Sequence, residues 1–361
     1  MTLKAANSNA TDALSREQQR ARFLARSPYF AARLVQLGSD ASIRQYFRLE
    51  EGPQPALLMD APSAALTPPC PPGADKKQRL RLGYSALVRG SGNSIVAYTA
   101  ASRILSGLGL IVPRVIDSDS ETGFAIIEDL GSERVADAAS SRMREAELYH
   151  LAADSLDLLR SQPASAGRHH GWHFQTYDRL AYRTEVELLV DWYIPHRFER
   201  RVDDIKRHRL DEAWCSVFGD LSPPRHYCHR DYHAENLMVV GHQIGVLDFQ
   251  DLMVGQAAYD WVSLIEDTRR DLDKGLAEDL YLRGYQCADD PAAFRRDYAI
   301  LAAQRNAKIL GLFARLAQRD GKKRYLSLLD RVESFFKDDL KRPDVAPVAE
   351  ALADIVPELT A

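Results

Sequence analysis

Three polar side chains set around two short apolar segments constrain this 361-residue chain more than any other feature. Asp231 is followed by Asn236, and Asp248 comes after a pair of apolar segments at residues 237–240 and 244–247. Both segments have the composition of β-strands, and the Gly-His pair between them suits the turn of a hairpin. The pattern therefore predicts a β-hairpin whose second strand delivers Asp248 to the other two polar groups.

These three side chains are of the kind that phosphoryl transfer from a metal-bound nucleotide requires. Asp231 is the candidate catalytic base, because a carboxylate can orient an attacking hydroxyl and take its proton. The amide oxygen of Asn236 and the carboxylate of Asp248 are candidate Mg²⁺ ligands, since this ion prefers oxygen donors. The alternatives are that Asn236 caps a turn, that Asp248 caps a loop, and that the His-Arg-Asp triplet ending at Asp231 occurs by chance.

The stretch from His229 to Asn236 matches the H-R-D-x-x-x-x-N catalytic loop of kinases. With its other motifs, the chain resembles the aminoglycoside phosphotransferase branch of the protein-kinase-like fold. Within that branch it resembles bacterial kinases that phosphorylate the anomeric hydroxyl of N-acetylmuramate and N-acetylglucosamine. The matching segments span most of the chain and lie at residues 38–48, 57–62, 127–131, 229–249, 311–316 and 319–322.

The resemblance implies an α+β, bilobal protein-kinase-like fold that uses ATP and Mg²⁺. Its N-lobe would hold an antiparallel sheet and one main helix, and its C-lobe would be mostly helical, as the apolar spacing after residue 134 also indicates. The predicted divisions are a disordered N-terminus at 1–14, an N-lobe at 15–130 with an exposed insertion at 60–80, and a C-lobe at 131–361.

The segment after the first predicted strand resembles the loop that covers the nucleotide phosphates in these enzymes. Its small residues would let backbone N–H groups approach the phosphates, although such a turn also suits an ordinary hairpin. The residues expected at this part of the nucleotide site are Gly38, Ser39, Asp40, Ala41 and Ser42. At the predicted junction of the lobes, backbone groups around Glu128 and Leu130 are expected to pair with the adenine edge.

The third predicted strand, residues 56–59, lacks the Lys that usually holds the α- and β-phosphates in kinases. Arg44 and Arg48 are the candidates for supplying this positive charge, and the alternative is that both are solvated surface arginines. Lys76 and Lys77 are disfavoured because they lie in the predicted insertion.

Three residues are predicted to support the catalytic loop: His229, Arg230 and Asp260. Asp260 resembles the buried Asp that accepts backbone N–H bonds from this loop in kinases. The chain between Asp248 and Asp260 is too short for a phosphorylated activation loop, and Asp248-Phe249 is not followed by Gly. These departures favour a small-molecule kinase over a phosphorylation-gated protein kinase.

A predicted helix at 177–199 carries side chains that suit a sugar, because carboxylates accept hydroxyl protons and an aromatic face stacks on a sugar ring. The predicted acceptor residues are Arg183, Glu185, Glu187, Trp192 and Arg305. Arg183, Arg305 or Lys308 could pair with a substrate carboxylate such as the lactyl group of muramic acid. The alternative is a solvated charged helix face with Trp192 in the core.

Composition argues against several other classes of function. A net charge of -4 gives no electrostatic case for binding nucleic acid or an anionic membrane. No apolar run is long enough to span a bilayer, and the first residues lack the apolar core of a secretory signal. The four cysteines are widely spaced, without a Cys-x-x-Cys pair, which fits the cytoplasm. A polar loop is the expected setting of three nearby histidines, His169, His170 and His173. The alternative is that they form a metal cluster.

The sequence therefore predicts an ATP-dependent kinase for a small hydroxyl compound, with no obligate protein partner evident. The resemblance implies that the acceptor is the C1 hydroxyl of N-acetylmuramate or N-acetylglucosamine. In the resembled enzymes, the resulting 1-phosphates feed nucleotide-sugar synthesis during cell-wall recycling. Other acceptors in the same fold are an aminoglycoside, choline or homoserine. The mixed charge of residues 337–361 disfavours a polycationic aminoglycoside. A silent scaffold is the alternative from another class, and the intact polar triad argues against it.

Overall fold

The computed structural model describes residues 14–38, 44–62, 70–91 and 94–360. Four of the predicted nucleotide-covering residues lie outside these ranges, namely Ser39, Asp40, Ala41 and Ser42. Residues 1–13 of the predicted disordered N-terminus also lie outside them. Contacts divide the chain into two compact units. The first comprises residues 1–65, 93–95 and 114–129, and the second comprises residues 66–92, 96–113 and 130–361.

The described residues of the first unit form one helix and a five-stranded antiparallel sheet of order β1-β2-β3-β5-β4. Its elements are α1 (Arg16–Leu24), β1 (Arg33–Gln36), β2 (Gln45–Glu50), β3 (Ala56–Asp60), β4 (Val115–Asp119) and β5 (Phe124–Glu128). β2 alternates between buried and more exposed residues, whereas β3 and β5, which pair with strands on both sides, are buried on both faces.

The buried face of this sheet packs against α1. Phe47, Leu58 and Phe124 form an apolar cluster with Phe23 and Leu24 of the helix. Since successive side chains of a strand point to opposite faces, Arg48 of β2 points away from this cluster.

Ion pairs also join α1 to the sheet. Arg16 Nη2 lies 2.5 Å and Arg20 Nη2 lies 3.4 Å from the carboxylate of Asp60, at the end of β3. The same two guanidinium groups lie 3.8 and 4.0 Å from the ring centroids of Phe124 and Phe47. Asp60 is therefore a buried anchor for α1 and begins the segment that the sequence analysis assigned to an exposed insertion.

The second unit is mainly helical and contains three two-stranded antiparallel sheets. Its helices are α2 (Lys76–Leu82), α3 (Tyr84–Val88), α4 (Ile95–Gly107, whose first residue belongs to the first unit), α5 (Val135–Ala138), α6 (Arg142–Arg160), α7 (Arg179–Leu188), α8 (Ile194–Phe198), α9 (Asp204–Gly219), α10 (Ala258–Ile265), α11 (Lys274–Gln286), α12 (Pro291–Gln318), α13 (Leu329–Leu340) and α14 (Ala346–Ala353). Its strands are β6 (Gly167–His169), β7 (Trp172–Phe174), β8 (His226–Cys228), β9 (Leu237–Val240), β10 (Gln243–Val246) and β11 (Met253–Gly255).

Two helical segments that the sequence analysis placed in the N-lobe contact residues of the second unit. Arg79 of α2 pairs with Asp178, and the ring of Tyr98 in α4 lies 4.7 Å from that of Phe249. The predicted insertion also includes the start of α2, which is capped by Asp75 and has no buried residue. The contact units therefore divide the chain differently from the predicted boundary at residue 130.

The long helix α12 is the centre of the second unit. It packs against α7, α10 and α13, and eighteen of its 28 residues are buried. At Gly311 it approaches the chain of α7 so closely that a Cβ would lie 2.2 Å from the backbone carbon of Leu188. Beyond Leu188 the predicted long helix changes to a π-helical turn at Leu189–Tyr193 before α8. None of the helices in the described ranges has the length and apolar character that crossing a bilayer requires.

Candidate active site

The predicted hairpin is present, and its backbone assembles the polar triad. β9 and β10 pair in register from Leu237 opposite Val246, directly after the loop that carries Asn236. The N–H of Leu247 donates to the carbonyl of Asn236 at 2.9 Å, one residue beyond the strand pairing. Because Asp248 follows Leu247, main-chain hydrogen bonding holds the two proposed metal ligands side by side.

The carboxylate of Asp231 points into a polar environment at the end of the catalytic loop. Asn236 Nδ2 donates to its carbonyl at 2.9 Å and contacts Oδ2 at 3.3 Å, and His233 Nε2 lies 3.1 Å from Oδ1. The side chain of Asp231 is 53% exposed, whereas the ring of His233 is buried. The proposed base and one of the two proposed metal ligands are thus in contact.

Charge around Asp231 keeps it ionised. Desolvation acts to raise the pKa of this carboxyl, but the adjacent His233 and the positive charge of Arg269 outweigh it and hold the pKa well below its ordinary value. An ionised carboxylate can accept a hydrogen bond from a hydroxyl group near neutral pH.

Asp260 stabilises the loop at residues 229–236 through hydrogen bonds to its backbone. Asp260 is buried and accepts backbone N–H bonds from His229 at 2.7 Å and from Arg230 at 2.8 Å. Burial raises the pKa of Asp260, and His229 and these two N–H groups act in the opposite direction. These hydrogen bonds are the ones that the sequence analysis expected Asp260 to accept.

The His229 ring connects the base to the second metal-ligand candidate. The N–H of Asp231 donates to His229 Nδ1 at 3.2 Å, so Nδ1 accepts and Nε2 carries the proton. Nε2 then donates to the carbonyl of Leu247 at 2.7 Å, next to Asp248. The imidazole therefore fixes the spacing between the loop of Asp231 and the segment of Asp248.

Two residues of this region adopt left-handed backbone conformations that non-glycine residues rarely use. Asp248 has φ +57° and ψ +33°, and Arg230 has φ +74°. Such conformations cost about 1–3 kcal/mol each, and they cluster at functional sites. Gln250 Nε2 donates to Asp248 Oδ1 at 2.7 Å, which helps to hold that carboxylate in place.

Glu185 is the clearest correction to the predicted acceptor residues. It is only 1% exposed, and its Oε1 lies 3.1 Å from Arg230 Nη2 and 3.3 Å from Lys308 Nζ. Tyr177 and Gln304 donate to its other oxygen. Desolvation acts to raise the pKa of Glu185, yet Lys308 and Arg230 lower it below the ordinary value. Glu185 is therefore a buried anchor for Arg230, and no ligand can reach it in this structure.

The other predicted acceptor residues do not meet at Asp231 either. Arg183 pairs through two nitrogens with Asp211, and with the exposed Glu187 it lines a cleft of about 230 Å³ between α7 and α9. Arg305 is buried and donates to the carbonyl of Glu266 at 3.1 Å. Trp192 is half-buried in the π-helical turn. Within the described residues none of these side chains makes a hydrogen bond or an ion pair with Asp231.

One of the three cations proposed for a substrate carboxylate, Arg305, is buried inside the protein, and the other two are already paired with carboxylates. Lys308 pairs with Glu185 and donates to Tyr259 Oη at 3.1 Å, Arg305 holds a backbone carbonyl, and Arg183 is paired with Asp211. The prediction that these side chains bind a carboxylate is therefore wrong for Lys308 and Arg305. Glu185 and Tyr259 already engage the ammonium group of Lys308, and the carbonyl of Glu266 already engages the buried guanidinium of Arg305.

The nucleotide-site predictions of the first unit have mixed outcomes. Arg48 Nε lies 2.7 Å from Asp129 Oδ2, so this guanidinium is held in an ion pair. Arg44 is buried, which contradicts its alternative interpretation as a solvated surface residue. Glu128 lies in β5 opposite Ala56, and its N–H donates to the carbonyl of Arg114 at 2.9 Å. Gly38 lies just after β1.

In the second unit, Leu130 covers the hairpin below the triad. A Cβ placed on Gly245 would lie 2.7 Å from Leu130 Cδ1, so only glycine fits beneath this side chain without displacing it. Leu130 and Gly245 thus form an apolar contact next to β9 and β10.

Two residues beside the proposed base, His233 and Arg269, were not predicted from the sequence. Nη1 of Arg269 lies 3.2 Å from His233 Nε2, and its Nε lies 3.2 Å from Glu235 Oε2. His233 could have been noticed from its position within the catalytic loop. Arg269 lies in the segment after α10, and no local sequence signal distinguishes it from the other arginines of the chain.

Comparison with known proteins gives concordant results. A model of the family described as "Phosphotransferase enzyme family" matches residues 33–296. The N-acetylmuramate/N-acetylglucosamine kinase of Caulobacter vibrioides is 35% identical over 329 residues, which cover 88% of this chain and 90% of that protein. The protein of the same name from Pseudomonas aeruginosa is 29% identical over 335 residues, 90% of this chain and 89% of that protein.

Solved structures show the same fold at much lower identity. A choline/ethanolamine kinase family protein from Mesorhizobium loti superposes with a TM-score of 0.57 at 16% identity, over 94% of this chain and 99% of that one. A thermostable mutant of aminoglycoside phosphotransferase APH(4)-Ia, in a ternary complex with AMP-PNP and hygromycin B, gives 0.55 at 15% identity, over 90% and 99%. These likenesses confirm the predicted α+β, protein-kinase-like fold class.

Proposed function

This chain belongs to the phosphotransferase enzyme family, and we propose that it transfers the γ-phosphate of ATP to the C1 hydroxyl of N-acetylmuramate or N-acetylglucosamine. The family resemblance predicted from the sequence is confirmed, and the chain is an enzyme that phosphorylates a sugar hydroxyl. The 35% identity over nearly the whole chain supports the two amino sugars as acceptors, since the relatives carry both in their name.

The observation that carries the chemistry is the cluster of Asp231, Asn236 and Asp248 around the hairpin. As the acceptor oxygen attacks the γ-phosphorus, the bond from that phosphorus to the bridging oxygen of ADP breaks. The proton of the attacking hydroxyl passes to the Asp231 carboxylate. Transfer of this kind depends mainly on positioning and charge, which fits a base that stays ionised and is held by two neighbours.

The residues present suit Mg²⁺. Asn236 and Asp248 offer an amide and a carboxylate oxygen, held together by the hydrogen bond from Leu247 to Asn236. No group of three or more His, Cys, Asp or Glu side chains in the described ranges is arranged to hold a metal. Two protein oxygens agree with Mg²⁺, which takes its remaining ligands from water and phosphates, and the bound ion would offset the charge of the phosphates.

Arg44 remains the proposed source of the positive charge that β3 lacks. It lies just before β2 and is buried rather than solvated. Arg48 is a weaker choice than the sequence suggested, because Asp129 already neutralises it. Backbone groups around Glu128 and Leu130 remain the proposed contacts for the adenine edge.

The position phosphorylated on the sugar is tested by the product. We expect the purified protein, given ATP, Mg²⁺ and either amino sugar, to produce a non-reducing sugar phosphate that mild acid hydrolyses. Proton–phosphorus correlation NMR should couple the phosphate to the proton on C1. Coupling to the C6 protons would overturn the anomeric assignment, and the absence of product from both sugars would overturn the proposed acceptor. Phosphorylation at C1 is consistent with a place in cell-wall recycling.

A further inference from the structure

The two sugars of the proposed function differ in one group. N-acetylmuramate is N-acetylglucosamine that carries a lactyl ether on O3, and the lactyl group ends in a carboxylate. An enzyme that binds the first sugar through this group needs a cation within reach of the catalytic base. The cations that the sequence offered for this role are paired with side chains or hold a backbone carbonyl.

Arg269 lies beside the proposed base, with the ring of His233 between them. His233 Nε2 is 3.1 Å from Asp231 Oδ1 and 3.2 Å from Arg269 Nη1, so a single imidazole nitrogen separates the guanidinium from the carboxylate. Asp267 fixes this arrangement by accepting the N–H of Arg269 at 2.9 Å and the N–H of Ala234, in the catalytic loop, at 3.3 Å.

One edge of the Arg269 guanidinium is left without a partner among the described residues. Its Nε pairs with Glu235 and its Nη1 faces Nε2 of His233, whereas Nη2 makes no hydrogen bond to any residue in the described ranges. The side chain is 25% exposed, so a ligand can reach the guanidinium. Neighbouring arginines differ: Arg270 donates to Glu145 and to two backbone carbonyls, and Arg331 uses all three nitrogens on Asp271 and Thr268.

We propose that Arg269 is the specificity-determining residue that binds the lactyl carboxylate of N-acetylmuramate through Nη2 while the C1 hydroxyl lies at Asp231. This inference rests on the proposed function, because it assumes that both sugars are acceptors. Arginine suits the role, since its planar donors match a carboxylate and it stays charged at every physiological pH. A charge-assisted hydrogen bond of this kind discriminates against the sugar that lacks the carboxylate.

The test compares selectivity rather than activity, because Arg269 also contacts His233. For wild type and Arg269→Met, kcat/KM is measured with both sugars. We expect the ratio of N-acetylmuramate to N-acetylglucosamine to fall about 10- to 100-fold in the variant, whatever loss the two sugars share. Arg269→Lys, which keeps the charge but not the fork, should give an intermediate ratio. Arg331→Met is the matched control, with 27% exposure and all three nitrogens paired, and should leave the ratio within about twofold.

A change in the substrate makes the test independent of protein folding. The lactyl carboxamide of N-acetylmuramate has nearly the same shape without the charge. Wild type should lose activity on this amide by the same factor as the ratio of N-acetylmuramate to N-acetylglucosamine falls in Arg269→Met, and the variant should treat acid and amide alike.

The two proposals fail in different ways. If wild type phosphorylates neither sugar, the proposed function is wrong. If wild type phosphorylates both, but Arg269→Met reduces both equally and still separates acid from amide, Arg269 acts only on the catalytic loop and the inference is wrong.

Discussion

Asn236 and Leu247 are joined by a main-chain hydrogen bond of 2.9 Å, from the N–H of Leu247 to the carbonyl of Asn236. This bond lies one residue before Asp248, so the relative position of the two proposed metal ligands is set by backbone pairing. Main-chain pairing of this kind tolerates side-chain substitution at either ligand. Variants of the triad should therefore change chemistry more than folding.

Asp231→Asn should keep the fold and lose nearly all turnover. The side chain is 53% exposed, so its replacement removes little packing, but an amide cannot take the proton of the acceptor hydroxyl. We expect kcat below about a tenth of the wild-type value. The exposed Asp137 provides a control, because Asp137→Asn should leave kcat unchanged. An Asp231→Asn variant with near-normal turnover would remove this residue from the role of base.

Asp248→Ala should raise the Mg²⁺ concentration needed for half-maximal rate. The carboxylate is exposed and held by Gln250, and we propose that it binds the ion directly. The variant also loses the hydrogen bond from Gln250, so Gln250→Ala is the appropriate control. Rates are measured while Mg²⁺ is titrated at fixed ATP. A curve that matches the wild-type curve in midpoint would contradict the assignment.

Glu185→Gln should destabilise the protein by about 3–5 kcal/mol near neutral pH, because it leaves Arg230 and Lys308 buried without their anion. Chemical denaturation at pH 7 measures this difference. Glu187→Gln, two residues further along the same helix and exposed, should change the free energy of unfolding by less than about 1 kcal/mol.

The pH dependence of that difference has a definite sign. The pKa of Glu185 in the folded protein lies below its ordinary value of 4.5, so its contribution to stability is fully present above that value. The contribution is lost as the pH falls through the lower, folded-state pKa. The stability gap between wild type and Glu185→Gln should therefore narrow below pH 4.5. A gap that stays constant as the solution is acidified past this point would mean that Glu185 is not ionised in the folded state.

Gly311→Ala should destabilise the second unit, because the new Cβ would lie 2.2 Å from the carbon and 2.3 Å from the oxygen of the Leu188 carbonyl. Backbone atoms cannot move aside as a flexible side chain can, so α12 and α7 must separate. We expect a loss of about 1–3 kcal/mol in thermal or chemical unfolding. Gly107→Ala is the matched control, since a Cβ added there, at the end of α4, would meet no described atom within 4 Å. Equal effects of the two changes would show that close approach is not what Gly311 provides.

The sequence predicted the parts of the fold that depend on neighbouring residues. Strands β2, β3 and β5 and the hairpin of β9 and β10 follow from alternating or β-branched segments, because a strand buries its faces with a period of two. The predicted helix at 177–199 is interrupted by the π-helical turn, whose position no local pattern announces. Helical spacing alone also did not reveal which charged residues of α7 are buried.

What the sequence determined by itself is the proposed catalytic group, because Asp231, Asn236 and Asp248 lie within one short stretch that contains the hairpin of β9 and β10. What only the tertiary structure decided is the use of each charged side chain. Glu185 looks like a surface carboxylate in the sequence, and it is buried because Lys308 of α12 and Arg230 of the catalytic loop pack against it. In the sequence, nothing distinguishes Arg269 from the other arginines. In the folded protein, its contacts with Asp267 and Glu235 place it beside the proposed base. Such assignments depend on contacts between distant segments, for which the chain carries no local signal.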